Sequence, residues 1–155
     1  EIIQPLELRP LLDRMVKELS GGELQKVAIA ACLSREADLY LLDEPSAYID
    51  AESRLTVAKM IRRNVEKRGV AAFVVEHDIM IVDWISDRLM VFAGEPSRRG
   101  EALSPSDLRT GMNTFLRKLA ITYRRDIHSG RPRENKEKSR LDAEQKAKGE
   151  YYYVA

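Results

Sequence analysis

Leu8, Leu11, Leu12, Met15 and Leu19 recur at helical spacing and share one face of a predicted helix, with Pro10 tolerable in its first turn. Leu24, Val27, Ala28 and Ala31 follow at i, i+3, i+4 and i+7, one apolar stripe of a second helix running to about Leu33. Leu39 to Leu42 is an uninterrupted apolar run ending at Asp43, Glu44 and Pro45, the pattern of a buried parallel strand. Leu55, Ala58, Ile61 and Val65 line a helix that stops at Lys67, Arg68 and Gly69, a basic last turn followed by a terminal glycine. Residues 70–75, VAAFVV, predict a second buried strand. A short helix through Val82 and Ile85 then leads to RLMVF, residues 88–92, as a third. This alternation predicts an α/β fold, a mostly parallel sheet flanked by helices, with ligands at the carboxyl ends of the strands.

Two places carry polar residues that packing does not require. In LSGGELQ, residues 19–25, Ser20 and Glu23 have the spacing of a capping box, which accounts for a helix start but not for Gly21 and Gly22. A glycine inside a helix costs roughly 1 kcal/mol relative to alanine. Glycines at a helix N-terminus also let backbone amides approach an anion, so a phosphate contact and a simple cap both stand as readings. The strand ends are the second place: Asp43 and Glu44 close the first, and Glu76, His77 and Asp78 the second. A carboxylate there can hold Mg²⁺ through water, and a neighbouring one can orient or deprotonate a water that attacks a phosphoryl group. The plain alternatives are a loop cap for Asp43 or Glu44, an N-cap for Asp78 and a structural role for the histidine.

Composition narrows the class. The chain has 155 residues, 44% hydrophobic and 33% charged, enough to bury a core. No apolar run reaches the 18 or so residues of a membrane span, and nothing resembles a signal peptide. The single Cys32 excludes a disulfide framework or a cysteine-held cluster within the chain and suits a reducing, cytoplasmic setting. The net charge of +1 hides a division, because residues 124–150 hold nine Lys or Arg against six Asp or Glu. With few large apolar residues, this segment reads as an extended or partly helical appendage rather than core. A division follows into residues 1–123 and a basic tail, 124–155, whose tyrosine-rich end could pack or stay disordered; a solvated surface is the alternative for the tail.

LSGGELQ, then LYLLDEP, SAYID and VVEHD resemble the signature, Walker B, D-loop and histidine switch of ABC-type ATPases, in order and at suitable spacing. The resemblance covers residues 19–78 and extends through the flanking elements to about Phe92. It implies that Asp43 supports Mg²⁺, that Glu44 polarises the attacking water and that His77 contacts the γ-phosphate of ATP. It also implies that Ser20, Gly21, Gly22 and Glu23 form the signature turn, lying against ATP held by the opposite nucleotide-binding domain. Ser46, Ala47 and Asp50 match the D-loop, in which Tyr48 adds a residue to the commoner SALD.

The Walker A loop is absent, since none of the eight glycines is followed by lysine. On the resemblance, the chain is the C-terminal part of a nucleotide-binding domain whose P-loop lies in an upstream segment or a companion chain. The missing P-loop strand would lie between the strand ending at Val75 and the one ending at Phe92. The tail is similar to the C-terminal hinge of the twin-ATPase ribosome-recycling factors, the RNase L inhibitors of ABC subfamily E, with Arg131, Arg133, Asn135 and Lys136 as its matching polar residues. That family implies ATP-driven splitting of ribosomes into subunits, with ribosomal subunits and release factors as partners, no membrane contact, and iron–sulfur clusters only in a segment far upstream. The rival readings are the ATPase subunit of a membrane transporter, which shares the four motifs, and a nucleotide-binding scaffold without turnover, against which Glu44 and His77 count.

Overall fold

Local hydrogen bonding decides what becomes of the first apolar stripe. In the computed structural model, which describes residues 2–152 apart from 96, 127 and 129, Arg9–Leu11 and Val16–Glu18 form two separate 3-10 turns rather than one α-helix. The Glu18 carboxylate accepts a hydrogen bond from the Met15 amide at 3.3 Å, a local partner that replaces the helical ladder at that point. The predicted shared face is therefore not formed. Leu6 and Leu8 are buried, whereas Leu12 and Met15 are 64% and 58% exposed.

Helix α1, Gly21–Ser34, starts where the capping box predicts. It buries Ile29 and Leu33, while Leu24, Ala28 and Ala31 of the predicted stripe are exposed. Residues 27–33 are all apolar, so periodicity could not select the face; packing against the next strand and helix does. Strand β1, Leu39–Asp43, pairs in parallel with β2, Ala71–Val75, in the register Asp43↔Val75. Between them runs α2, Ala51–Arg68, capped by Asp50 and terminated by Gly69 in the left-handed conformation at φ 64°. Tyr40 and Leu42 of β1 join Ile29 and Leu33 of α1 and Val57 and Ile61 of α2 in one core. Alternate residues face the other way: Leu41, Phe73 and Val75 are 69%, 58% and 58% exposed, so each strand meets the core with one face only, buried in β1 and half-buried in β2. Helix α3, Ile79–Ile85, completes the first of two compact units, which ends at Ile85.

The expected third strand is divided. Arg88–Leu89, β3, pairs antiparallel with β6, Ser106–Asp107, and Phe92–Glu95, β4, with β5, Arg99–Ala102. Gly94 makes that second pairing possible, because a Cβ there would lie 1.9 Å from the Arg99 carbonyl oxygen. The β1–β2 pair is thus the parallel part of the sheet structure among the described residues.

In the second unit, Asp107 caps α4, Leu108–Leu119, which buries Met112 and Leu116. Strands β7, Tyr123–Arg125, and β8, Pro132–Glu134, pair antiparallel, and α5 spans Arg140–Lys148. This tail is not a loose appendage. Thr122, Asn135, Asp142 and Gln145 are all at most 5% exposed. The Asn135 amide donates to Thr122 Oγ1 at 2.9 Å and to Gln145 Oε1, and Arg124 donates to Asn135 Oδ1 at 2.7 Å. Tyr152 is buried, its amide bonded to Asn113 Oδ1 at 3.0 Å; Tyr153 lies outside the described residues. Composition concealed this, since the segment is held by hydrogen bonds rather than by apolar bulk.

Asp142 centres that network. It accepts from Thr122 Oγ1 at 2.7 Å, from the Lys138 amide at 3.0 Å and from Lys146 Nζ at 3.0 Å. The Thr122 hydroxyl first, then Lys146, hold its carboxyl below the usual carboxylate range. A depressed folded value stabilises the fold fully above the unfolded value of about 3.9 and progressively less as pH falls through the folded one. Denaturant melts in a pH series below about 4 should therefore show stability falling more steeply for the natural protein than for Asp142→Asn. Parallel curves would show that Asp142 has no such linkage.

Candidate functional site

The parallel register brings two predicted site residues together. One step past the paired Asp43 and Val75, the Glu44 amide donates to the Val75 carbonyl at 2.9 Å, and the two strand ends emerge side by side. Glu44 Oε1 then lies 3.5 Å from His77 Nδ1, an ion pair only when the imidazole is protonated. Both side chains are open to solvent, at 50% and 76% exposure. Asp43 is exposed at the end of β1, beside them in sequence. Asp78 takes the plain alternative: its Oδ1 accepts from the Met80 amide at 2.9 Å at the start of α3, and its Oδ2 pairs with Arg54 at 3.2 Å.

The glycine-led helix start sits against the loop that follows. Ser20 Oγ accepts from the Glu23 amide at 3.3 Å, and Glu23 Oε2 from the Ser20 amide at 2.7 Å, a closed capping box. The Ser20 amide and hydroxyl, with Arg14 at 3.0 Å, hold the Glu23 carboxyl below the usual range. The structure adds a steric reason for one glycine. A Cβ at Gly22 would lie 2.8 Å from the Tyr48 carbonyl oxygen, whereas at Gly21 the nearest atom, Tyr48 Cβ, is 3.7 Å away. Gly22 admits the loop; Gly21 has no such packing requirement within the chain.

Ser46 is buried, Ala47 is half-buried, and Tyr48 is 82% exposed at φ 61°, an uncommon conformation for a bulky residue. Asp50 Oδ1 accepts from the Ser53 amide at 2.9 Å as the cap of α2. The Ser53 amide and hydroxyl, aided by Lys26, keep its carboxyl below the usual range. Sequence reasoning did not single out Gln25, whose Nε2 donates to the carbonyls of Glu44 and Pro45 at 3.2 and 3.3 Å. Only its place in LSGGELQ could have drawn attention to it.

The four tail residues lie in the second unit and have different roles there. Asn135 is spent on the internal network, while Arg133 Nε pairs with Asp126 at 3.2 Å. Arg131 and Lys136 are exposed. Among the described residues, no group of three or more His, Cys, Asp and Glu could by itself hold a metal, and no helix is long and apolar enough to cross a membrane.

The fold that carries this arrangement is that of an ABC-type ATPase nucleotide-binding domain. The ABC transporter family model matches residues 1–47. An uncharacterised ABC transporter ATP-binding protein of Methanocaldococcus jannaschii is 61% identical over 99% of this chain and 26% of its own length. ABC transporter E family member 1 of Arabidopsis thaliana is 48% identical over the same shares, 99% and 26%. A crystal structure of an archaeal ribosomal stalk protein, aP1, in complex with the archaeal ribosome recycling factor aABCE1 matches with a TM-score of 0.94 and 60% identity, over 99% of this chain and 30% of that one. The chain thus spans about a quarter of the length of the curated relatives it matches. It belongs to subfamily E of the ABC ATPases, the RNase L inhibitor family.

The contrast between the two glycines is testable. Gly22→Ala should destabilise the protein by about 1–3 kcal/mol, because a methyl group meets backbone that cannot swing aside. Gly21→Ala should change stability by less than about 1 kcal/mol. Denaturant melts of the two variants check this, and equal effects would remove the steric account of Gly22.

Proposed function

We propose that this chain is the C-terminal part of the second nucleotide-binding domain of a cytoplasmic twin ATPase that splits ribosomes into subunits. The observation that carries the reading is the Glu44–His77 pair at the ends of adjacent parallel strands, 3.5 Å apart and open to an incoming ligand. Likeness to a chain from a recycling-factor complex supports the choice of ribosome over membrane permease. Ribosomal subunits and release factors are the partners this reading entails, and any iron–sulfur clusters belong to a segment other than this one, which has a single cysteine.

The residues fit MgATP in their chemistry. Mg²⁺ is usually held by one or two carboxylates together with nucleotide phosphates and water, and Asp43 supplies an exposed strand-end carboxylate. When bound, MgATP supplies the phosphoanhydride that is cleaved. Glu44 orients the attacking water and draws on its proton; His77 donates to the terminal phosphate. Ser20, Gly21, Gly22 and Glu23 present a capped helix start to the nucleotide of the opposite domain, and Ser46, Ala47 and Asp50 carry the loop that meets that domain. An upstream P-loop segment supplies the lysine and amides that hold the phosphates. The exposed row of Leu41, Phe73 and Val75 supports that arrangement, because a parallel sheet is ordinarily covered on both faces.

Arg131, Arg133 and Lys136 offer exposed donors suited to carboxylates or carbonyls of a neighbouring domain, the hinge of this reading. Asn135 serves that hinge indirectly, by fixing β8 against Thr122 and Gln145.

In the full-length protein, Glu44→Gln should cut hydrolysis on the order of 100-fold or more while ATP binding persists and the closed state accumulates. Unchanged turnover would move the water-orienting role to another residue, with His77 tested next. Replacing Arg131 and Arg133 together by alanine should impair ribosome splitting more than ATP affinity, measured side by side. Unchanged splitting, or a native complex with a permease and no ribosome association, would overturn the recycling assignment.

A further inference from the structure

The backbone of residues 44–46 is held by groups to which the proposed function gives no task. Gln25 Nε2 donates to the Glu44 carbonyl at 3.2 Å and to the Pro45 carbonyl at 3.3 Å. Glu76 Oε1 accepts from the Ser46 amide at 3.0 Å. The Val75 carbonyl takes the Glu44 amide at 2.9 Å. Glu44 itself sits at φ 43°, in the left-handed region that a residue with a side chain occupies at an energetic cost and holds only when its surroundings over-determine it. The clamp is that surrounding: one amide side chain bridges two consecutive carbonyls, while a carboxylate secures the next amide.

The ends of the clamp come from different elements. Gln25 lies one turn into α1, on the side of the helix that carries Gly21 and Gly22 by the i+3 and i+4 relation. Glu76 leaves β2 immediately before His77. The clamp therefore joins the glycine turn, the acid and the histidine strand through hydrogen bonds to main chain, which fix position without consuming the reactive side chains.

We propose that Gln25 and Glu76 are positioning residues: together they hold the 44–46 backbone so that Glu44 keeps its left-handed turn beside His77, and Gln25 ties that turn to the Gly21–Gly22 helix start. The inference rests on the assignment of Glu44 as the water-orienting acid. It gives displacement of the glycine turn a direct route to the acid of the same domain, through one side chain and two carbonyls.

The test uses the full-length protein and ATP. Gln25→Met keeps the length of the side chain without its donor, and Gln25→Lys keeps a donor on a similar stem. Glu76→Ala removes the acceptor, and Glu76→Gln retains one. A misplacement of about 1 Å costs up to on the order of 100-fold in rate, so Gln25→Met and Glu76→Ala should lower kcat by about 10- to 100-fold. KM for ATP should stay within about twofold, since the loss falls on the chemical step. Gln25→Lys and Glu76→Gln should recover most of the rate. Gln25→Met added to Glu44→Gln should produce no further loss, because Gln25 acts through Glu44. Wild-type kcat in Gln25→Met, or losses in kcat, ATP affinity and melting temperature that move together and are not recovered by Gln25→Lys, would overturn the proposal. Such a result alongside a dead Glu44→Gln leaves the assignment of the acid standing; unimpaired hydrolysis by Glu44→Gln removes both.

Discussion

The parallel ladder between β1 and β2 ends on the bond from the Glu44 amide to the Val75 carbonyl, and the candidate site depends on where that ladder stops. Side chains alternate along a strand, so a slip of one residue in either strand would exchange its two faces. Tyr40 and Leu42 would leave the core they share with Ile29, Leu33, Val57 and Ile61, and Leu39 and Leu41 would enter it. Burial under α1 and α2 thus sets the register, and the register delivers Glu44 and His77 to adjacent strand ends. Apolar packing decides a polar geometry several residues away.

Within the second unit, the tail achieves order by different means. Its chain from Arg124 to Glu150 lacks the apolar bulk for a conventional core, yet Asp142, Asn135 and Gln145 are buried and mutually satisfied together with Thr122. Such a network tolerates little error, because an unpaired polar group in a low-dielectric interior costs more than a good pair gains. The outcome is a segment whose backbone is fixed by inward-facing amides and a carboxylate, leaving Arg131 and Lys136 on the surface. A basic surface on an ordered backbone can present its charges in one arrangement, which an unstructured basic tail cannot.

Signals that were local and chemical could be read from sequence. The Ser20–Glu23 box, the Asp43 and Val75 strand ends and the Gly69 stop each depend on a few adjacent residues, and each falls where expected. What depended on tertiary partners could not be read. The face of α1 was ambiguous because residues 27–33 are apolar throughout, and the two pieces of the third strand take separate antiparallel partners from residues 99–107, the second of which Gly94 admits. Helix α4 escaped notice although Asp107 caps it and Met112 and Leu116 anchor it. Gln25 and Glu76 are the clearest case, since a bond to another segment's main chain leaves no pattern in either segment's own sequence.

The alternation that buries Tyr40 and Leu42 also turns Leu39, Leu41, Phe73 and Val75 outward, at 43–69% exposure. Full burial of a side chain of this kind contributes about 1.5–3 kcal/mol, so an element laid over that face would stabilise the two strands substantially. It would do so at the strands that end in Glu44 and His77. On the proposed reading, the segment that supplies the phosphate-binding loop also covers this face. The same association would then complete the ligand's contacts and stiffen the backbone that aims the acid at it. Gln25 and Glu76 already restrain that backbone from within the chain, so the two supports act on the same strand ends from different sides.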